Sequence, residues 1–121
     1  MPALGFQKQF VPMIEDGSKH HTIRRKRKNP IKVGDVLYLY TGMRTKQCRL
    51  IKEVTCTAVV PIKIMPGTGI VRLGDTTLTE KTLEVFATND GFSDVHSFFE
   101  FFKIYPMYIL LLELEVIYWR S

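Results

Sequence analysis

The segment from Gly17 to Lys28, GSKHHTIRRKRK, concentrates the side chains that could do chemistry, because eight of its twelve residues are lysine, arginine or histidine. Lys19 and Thr22 are candidates for a base and a nucleophile. A threonine hydroxyl is a poor nucleophile unless a base takes its proton, and a lysine amine is such a base when a dry pocket lowers its pKa. Side chains three residues apart lie on opposite faces of a regular strand. The pair therefore predicts catalysis only where a turn or bulge brings the two residues together.

The second half of this segment is a run of five consecutive cations, Arg24 to Lys28, and the Asn29-Pro30 pair that follows predicts an exposed loop. The formal net charge is +5, and the chain would be neutral without this run. Such a run neutralises phosphates and gives salt-dependent binding without reading a base sequence. The candidate nucleic-acid contacts are Arg25, Lys26, Arg27 and Lys28. A solvated loop and an address signal are the alternatives.

The histidines and cysteines do not predict a metal site. The candidate ligands are His20, His21, His96, Cys48 and Cys56. Adjacent histidines in an extended segment point to opposite faces, and neither the CxxC nor the HxxxH spacing that is usual for zinc occurs. Cys48 and Cys56 are eight residues apart, so one strand would place both on one face. The simpler interpretation is two buried strand cysteines, and the sequence predicts neither a metal nor a cofactor.

The bulk composition bounds the class of protein. A length of 121 residues predicts one domain over residues 1–121, and the 45% hydrophobic and 12% aromatic shares are those of a globular protein. Two cysteines are no disulfide framework, and the first ten residues lack the pattern of a signal peptide. The most apolar segment, residues 107–119, is too short to span a bilayer and carries Glu113 and Glu115. We expect a soluble, cytoplasmic protein without a membrane partner.

The elements that must position these residues begin with a short helix. Apolar residues recur at helical spacing over residues 6–16, with Gly17 as the stop. Pro12 fits such a helix only if it falls in the first turn. Residues 36–40 are an apolar run of β-formers after a turn, which predicts a strand. Residues 47–60 are rich in β-branched residues and predict one long strand, or two with a bend.

The remaining segments predict turns, two helices and a closing strand. Pro61 and the segment MPGTG predict turns, IVRLG predicts a short strand, and DTTLT is a candidate for another. One helix follows an N-cap at Thr79, and a second follows an N-cap at Ser93 and ends at Pro106. Residues 107–119 alternate as a long final strand. The pattern indicates a small antiparallel or mixed β-barrel decorated by short helices.

The segment GSKHHTIRRKRKNPIKVGDVLYLY resembles the signature of the ASCH domain, a PUA-like β-barrel family associated with RNA. The shared features are a Gly-x-Lys followed by Thr-Ile-Arg, and a Gly-Asp turn that leads into an apolar strand. They stand here at Gly17, Lys19, Thr22, Ile23, Arg24, Gly34 and Asp35. The later segment LTEKTLEVFATNDGFSDVHSFFEFFKIYP is similar to the family's C-terminal half, so the resemblance covers most of the chain. It implies an α+β fold, a small PUA-like β-barrel with two or three short helices.

Small single-domain bacterial members of this family are amidohydrolases that remove the acetyl group from N4-acetylcytidine. Their catalytic set is a lysine, a threonine three residues on and a distant glutamate. The resemblance implies that Lys19 and Thr22 take the first two roles. Counted back from the second helix and its closing Tyr-Pro, the glutamate position falls on Asp90, whose side chain is one methylene shorter. Glu84 and Glu80 are the alternatives if the helices shift.

The resemblance also implies a mechanism. Lys19, neutral when active, would accept the proton of Thr22, which attacks the acetyl carbonyl, and Asp90 would protonate the departing cytosine nitrogen. Water would then release acetate. A phosphate, a ribose or the oxyanion would be held by arginine, and aromatic rings would stack on the base. The implied ligand-binding residues are Arg24, Arg25, Tyr38 and Phe92.

Three alternatives to this hydrolase remain open on the sequence alone. Lys19 and Asp90 would form a plain ion pair if Thr22 is only a strand residue. The chain would then be a non-catalytic RNA-binding module with Arg24 to Lys28 as its electrostatic contact, or a partner-binding regulatory domain. The expected partner is accordingly a modified nucleoside or RNA.

Overall fold

The structure is a computed structural model that describes residues 2–65, 68–102 and 111–120. Its strands are β1 Ala3–Phe6, β2 His21–Arg24, β3 Val36–Thr41, β4 Arg49–Met65, β5 Ile70–Leu73, β6 Thr76–Thr77 and β7 Leu112–Arg120. Its helices are α1 Val11–Glu15, α2 Glu80–Asn89 and α3 Val95–Phe101, and a 3-10 turn over Lys8–Phe10 leads into α1. The predicted α+β class with short helices is confirmed.

The long strand β4 organises the sheet. It pairs antiparallel with β3 along its first part, and with β7 and β5 along its second part. Strand β1 adds to β3 in parallel, and β2 adds to β7 antiparallel, so β1 and β2 are the two ends of the path β1-β3-β4-β7-β2. Strand β2, which lies within the Gly17–Lys28 segment, is therefore at one end of this path, and β1 is at the other.

The predicted β-barrel is wrong in one respect, because the sheet does not close. No backbone ladder joins β1 to β2 within the described residues. A side chain crosses the gap instead, since Arg24 Nη2 donates to the carbonyl oxygen of Gly5 at 2.6 Å. Both strands have only four residues. The open seam between β1 and β2 gives access to the side chains beneath it.

Local signals account for the helix ends that the sequence predicts correctly. Gly17 follows α1 with a φ of +86°, as the sequence predicts. The predicted start at residue 6 is wrong, because α1 begins at Val11, and this start places Pro12 in the first turn. Thr79 is the N-cap of α2, where its hydroxyl accepts from the Thr82 N–H in a reciprocal capping box. The predicted N-cap at Ser93 is wrong, because the carboxylate of Asp94 accepts the Ser97 N–H and starts α3.

Two further predictions fail in β4. Pro61 does not form a turn, since it lies within β4 opposite Glu115, where its carbonyl accepts the Gly74 N–H. A proline lacks only a donor, so it fits a strand position that needs an acceptor. Cys56 is buried in β4, but Cys48 lies before the strand and is exposed, so the two cysteines do not share a buried face.

The core lies between the sheet and the helices α1, α2 and α3. The last strand β7 begins at Leu112, and the predicted strand start at 107 and helix end at Pro106 lie outside the described residues. Within residues 2–65, 68–102 and 111–120, no helix has the length and apolar character needed to cross a bilayer.

Candidate active site

A cleft of about 240 Å³ lies under the open seam between β1 and β2. Its polar residues are Gln7, the three predicted catalytic residues and one predicted ligand-binding arginine. The predicted ones are Lys19, Thr22, Asp90 and Arg24. Its apolar wall consists of Ile23 and five phenylalanines, namely Phe6, Phe10, Phe92, Phe101 and Phe102. The structure thus brings Phe92 and the whole predicted catalytic set to one cavity.

Lys19 and Asp90 form a buried ion pair at the base of this cleft, although they are 71 residues apart in the chain. Lys19 Nζ donates to Asp90 Oδ1 at 2.8 Å and to the main-chain oxygen of Asp90 at 2.6 Å. The two residues are only 3% and 4% exposed. The shorter aspartate side chain therefore reaches the lysine.

Burial shifts both members of this pair towards their neutral forms. Loss of solvent lowers the pKa of Lys19 below its ordinary value, an effect that the Asp90 charge opposes only in part. Loss of solvent also raises the pKa of Asp90, with Lys19 acting in the opposite direction. A lysine in this state is closer to a usable base, and an aspartate in this state is closer to a usable acid.

Two turns bring the side chains of Lys19 and Asp90 close together. After α1 the chain reverses at Gly17, and the Lys19 N–H donates to the Met13 carbonyl at 2.9 Å, so Lys19 stands before β2 begins. This turn precedes Lys19, and residues 19–22 continue into β2 without a turn between Lys19 and Thr22, so the turn that contact of this pair requires is not present. Asp90 caps the C-terminus of α2 through its N–H to Phe86 at 3.0 Å, and Gly91 then turns the chain with a φ of +102°.

Replacing Gly91 by alanine is expected to destabilise the fold more than the same change at Gly34. Both glycines have a positive φ, +102° and +93°, so each alanine would suffer backbone strain of about 1–2 kcal/mol. A Cβ at Gly91 would also lie 2.7 Å from Phe10 Cδ1, whereas one at Gly34 meets nothing within 4 Å. Urea unfolding of both variants measures the difference. Equal losses of stability would contradict the close packing of Phe10 on this turn.

Thr22 lies on β2 with its hydroxyl tied to Arg24. Arg24 Nε donates to Thr22 Oγ1 at 3.1 Å, and the guanidinium carbon is 4.7 Å from the centre of the Phe6 ring. Burial lowers the pKa of Arg24, while Asp90 opposes this shift and Arg27 adds to it. Among the described hydrogen bonds none joins Lys19 Nζ to Thr22 Oγ1. Lys19 and Thr22 therefore share the cleft without a described hydrogen bond between their side chains.

The aromatic wall includes residues that sequence reasoning missed. Lys19 Nζ lies 5.0 Å from the centre of the Phe10 ring and 5.9 Å from that of Phe6. Phe10 also packs edge-on against Phe92 at 5.6 Å. Phe6 and Phe10 carry only the helical spacing of core residues, and nothing in their local sequence indicates a site. Their rings keep water from the amine and present π faces to a ligand.

The other predicted ligand contacts lie outside the cleft. Arg25, Lys26, Arg27 and Lys28 are exposed in the loop after β2, as the sequence predicts for a basic loop. Tyr38 is half-buried on β3 and is not among the residues that line the cavity, and its role in stacking on a base stays a prediction. Neither alternative acid lines the cleft, because Glu80 and Glu84 are exposed on α2.

His21 is the second feature that the sequence analysis missed, since it was considered only as a metal ligand. The residue is 2% exposed, and neither ring nitrogen makes a hydrogen bond to a described group. Burying such groups unpaired costs about 1–3 kcal/mol. Its Nε2 lies 3.2 Å from Asp90 Oδ1, and its ring stacks on Phe86 at 4.9 Å. Burial, with Lys19 and His20 nearby, lowers the pKa of His21 to about 3, so the ring is neutral.

The arrangement can hold an organic ligand in an aromatic cleft with an amine, a hydroxyl, a carboxyl and a guanidinium. In the described part of the chain, no three His, Cys, Asp or Glu residues are grouped to hold a metal ion. Comparisons with models of protein families, with curated proteins and with solved structures give no match. The resemblance to the ASCH domain stays a prediction.

Proposed function

We propose that this chain is an ASCH-type amidohydrolase that removes the acyl group from an acylated cytidine or a similar modified nucleoside. One observation carries the proposal: the buried Lys19–Asp90 pair shares an aromatic cleft with Thr22 and Arg24. These are the residue types that acyl transfer requires, namely a base, an acid, a nucleophile and a donor for the oxyanion.

The size and wall of the cleft suit a single modified base. Its volume of about 240 Å³ lies below the range of about 300–1,000 Å³ that is usual for small-molecule pockets. A nucleobase with its acyl group is a flat ligand of this scale, and Phe6, Phe10 and Phe92 offer rings for stacking. The ribose would then lie towards the open seam and the basic loop.

The ion pair and the active pair differ only in the position of one proton. Moving the proton from Lys19 Nζ to Asp90 along their 2.8 Å contact gives a neutral amine and a carboxylic acid. Burial favours this exchange, because it lowers the pKa of Lys19 and raises that of Asp90. One proton transfer along this contact therefore produces both the base and the acid that the reaction uses.

In the first step, the neutral amine of Lys19 takes the proton of Thr22, and Thr22 Oγ1 attacks the acyl carbonyl. Arg24 releases Oγ1 and donates to the developing oxyanion. As the amide C–N bond breaks, Asp90 gives its proton to the departing cytosine nitrogen. Lys19 then passes its proton to the Asp90 carboxylate. Its neutral amine takes a proton from water as the water attacks the acyl-threonine, and that proton passes to Thr22 Oγ1, which releases the acid and restores the hydroxyl.

The basic loop supports a nucleotide substrate as an extension of this proposal. Arg27 lies close enough to Arg24 to contribute to the lowering of its pKa, so the loop is near the cleft. Cations there would attract the phosphate of a nucleotide. The proposal includes a cytoplasmic location, because Cys48 and Cys56 are both free thiols, as is usual in a reducing compartment.

The pH dependence of acetate release from N4-acetylcytidine tests the proposal. Activity needs one proton on the pair, so it is lost when both groups are protonated and again when neither is. We expect a bell-shaped kcat/KM with its acid limb above 3.8, the usual pKa of aspartate, and its alkaline limb below 10.5, that of lysine. Chromatography of cytidine and acetate measures both limbs.

Asp90→Asn is the matched variant for this profile. The residual activity of this variant should rise with pH as Lys19 deprotonates. It should show no alkaline limb, because the variant has no carboxylic acid whose proton could be lost. If the two limbs of the parent's kcat/KM profile fell at the usual pKa values of free aspartate and lysine, the result would contradict the buried pair. No release by the parent protein, together with RNA binding that weakens steeply with salt, would favour the non-catalytic RNA-binding module.

A further inference from the structure

His21 is a buried histidine whose place the proposed reaction does not yet explain. Its ring is fixed between Phe86, stacked at 4.9 Å and 17°, and Tyr118, tilted at 5.2 Å. Nε2 is 3.2 Å from Asp90 Oδ1, yet the ring is turned so that neither nitrogen makes a hydrogen bond to a described group. A buried polar group without a partner beside a reacting carboxyl points to a role in that carboxyl's chemistry.

We infer that His21 is a positioning residue that acts through Asp90, and this inference rests on the proposed function. A small rotation of the ring lets Nε2–H donate to Asp90 Oδ1. That bond strengthens as Asp90 gives its proton to the leaving nitrogen, since negative charge then develops on the carboxyl. His21 would thus stabilise the transition state more than the resting enzyme.

A neutral imidazole suits this position better than a cation. Its pKa of about 3 keeps it uncharged at any pH where the enzyme would work, so it adds a donor without repelling Lys19. The charged or titratable groups that face this contact are Lys19, His20, Arg24 and Tyr118. Two of them are cations, and a third cation would oppose the proton that Lys19 must accept.

The contact also bears on the orientation of the carboxyl. Lys19 and His21 both approach Oδ1. A donor from His21 at this oxygen would hold the carboxyl in one orientation beside Lys19 while a proton passes from Lys19 to Asp90. The orientation matters because proton transfer depends on hydrogen-bond reach and alignment.

Three variants separate this role from simple packing. His21→Phe keeps an aromatic ring for Phe86 and removes both nitrogens, whereas His21→Gln keeps a donor close to the position of Nε2. His20→Gln is the matched control on the exposed neighbour. We expect His21→Phe to lower kcat for N4-acetylcytidine by about 10- to 100-fold with KM little changed, the loss expected for one hydrogen bond to a charged group. His21→Gln should recover part of this loss, and His20→Gln should match the parent. Equal kcat values for His21→Phe and the parent would overturn the inference.

A measurement without substrate keeps this test separate from that of the hydrolase. NMR of the imidazole nitrogens should show the Nε2–H tautomer in the parent protein. The Asp90 carboxyl carbon should titrate at a higher pH in His21→Phe than in the parent and shift back in His21→Gln, because the lost donor favoured the ionised form. An Nδ1–H tautomer with an unchanged Asp90 titration would overturn the inference. If the NMR shifts appear as expected but no variant and no parent protein shows turnover, the contact between His21 and Asp90 is upheld. Only the proposed hydrolase function is then contradicted.

Discussion

Lys19→Met is expected to destabilise the protein by about 3–5 kcal/mol at neutral pH, the loss that follows when one partner of a buried ion pair is removed. Asp90 would remain in the core with its carboxylate uncompensated, and its main-chain oxygen would lose the 2.6 Å bond from Lys19. Urea unfolding followed by circular dichroism measures the change. Adding Asp90→Asn to this variant should recover most of the loss, because no buried charge is left.

The pH dependence of the Lys19→Met variant has a definite sign. Without Lys19, burial raises the pKa of Asp90 and only the Arg24 charge still opposes it, so the folded chain keeps its proton at a pH where the unfolded chain is ionised. The native state then binds more protons, and the free energy of unfolding falls as pH rises through that window. The variant should be most stable at acid pH, and Asp90→Asn should remove the dependence. Stability independent of pH in Lys19→Met would contradict the buried pair.

Thr22→Val is expected to reduce turnover of N4-acetylcytidine by at least about a thousandfold, because it removes the nucleophile. Valine has the shape of threonine, so the 5% exposed site should keep its packing. Thr22→Ser keeps a hydroxyl on β2 and should retain measurable turnover. Acid-quenched samples of the parent should carry one acetyl group on Thr22 in peptide mass spectra.

The control for this prediction is the stability of the two Thr22 variants, which shows whether a loss of turnover is a loss of folding. Both Thr22 variants should unfold at urea concentrations near that of the parent, with a small loss in Thr22→Val, since Arg24 Nε loses its acceptor. Turnover that persists in Thr22→Val would show that water attacks the acyl group directly. Lys19 and Asp90 would then be the only members of the proposed set that take part in the chemistry.

Elements with strong local signals could be predicted from the sequence. The capping threonine at Thr79, the proline in the first turn of α1 and the reversal at Gly17 each depend on a few neighbouring residues. Strand β3 follows from an unbroken run of β-formers. These features needed no knowledge of distant contacts, and the structure has them where the sequence predicts them.

The missed elements depend on pairing between distant segments. Strand β1 exists because Ala3–Phe6 pairs in parallel with Tyr38–Thr41, and its own four residues do not specify a strand. Pro61 remains in β4 because its neighbours extend the ladder to β7 on both sides. The open seam likewise depends on the Arg24 side chain, which reaches Gly5 across the sheet edges.

The site was predictable in part, and through the resemblance more than through spacing. The resemblance assigned Lys19, Thr22 and Asp90 to one site, and all three line one cleft. Lys19 and Asp90 form the ion pair that the sequence left open as the alternative to catalysis, and no turn lies between Lys19 and Thr22. His21 was missed because burial of a polar ring is a property of the tertiary structure. Tyr38 was assigned to the site because of its residue type, and its strand carries it elsewhere.

The most direct test of the proposed function is a chromatographic assay of acetate and cytidine formed from N4-acetylcytidine by the parent protein, Lys19→Ala and Thr22→Ala. We predict steady release by the parent and loss of release in both variants, with circular dichroism showing that each remains folded under the assay conditions. Release that continues unchanged in both variants, or no release by the folded parent, would contradict the assignment of Lys19 and Thr22 to acyl transfer.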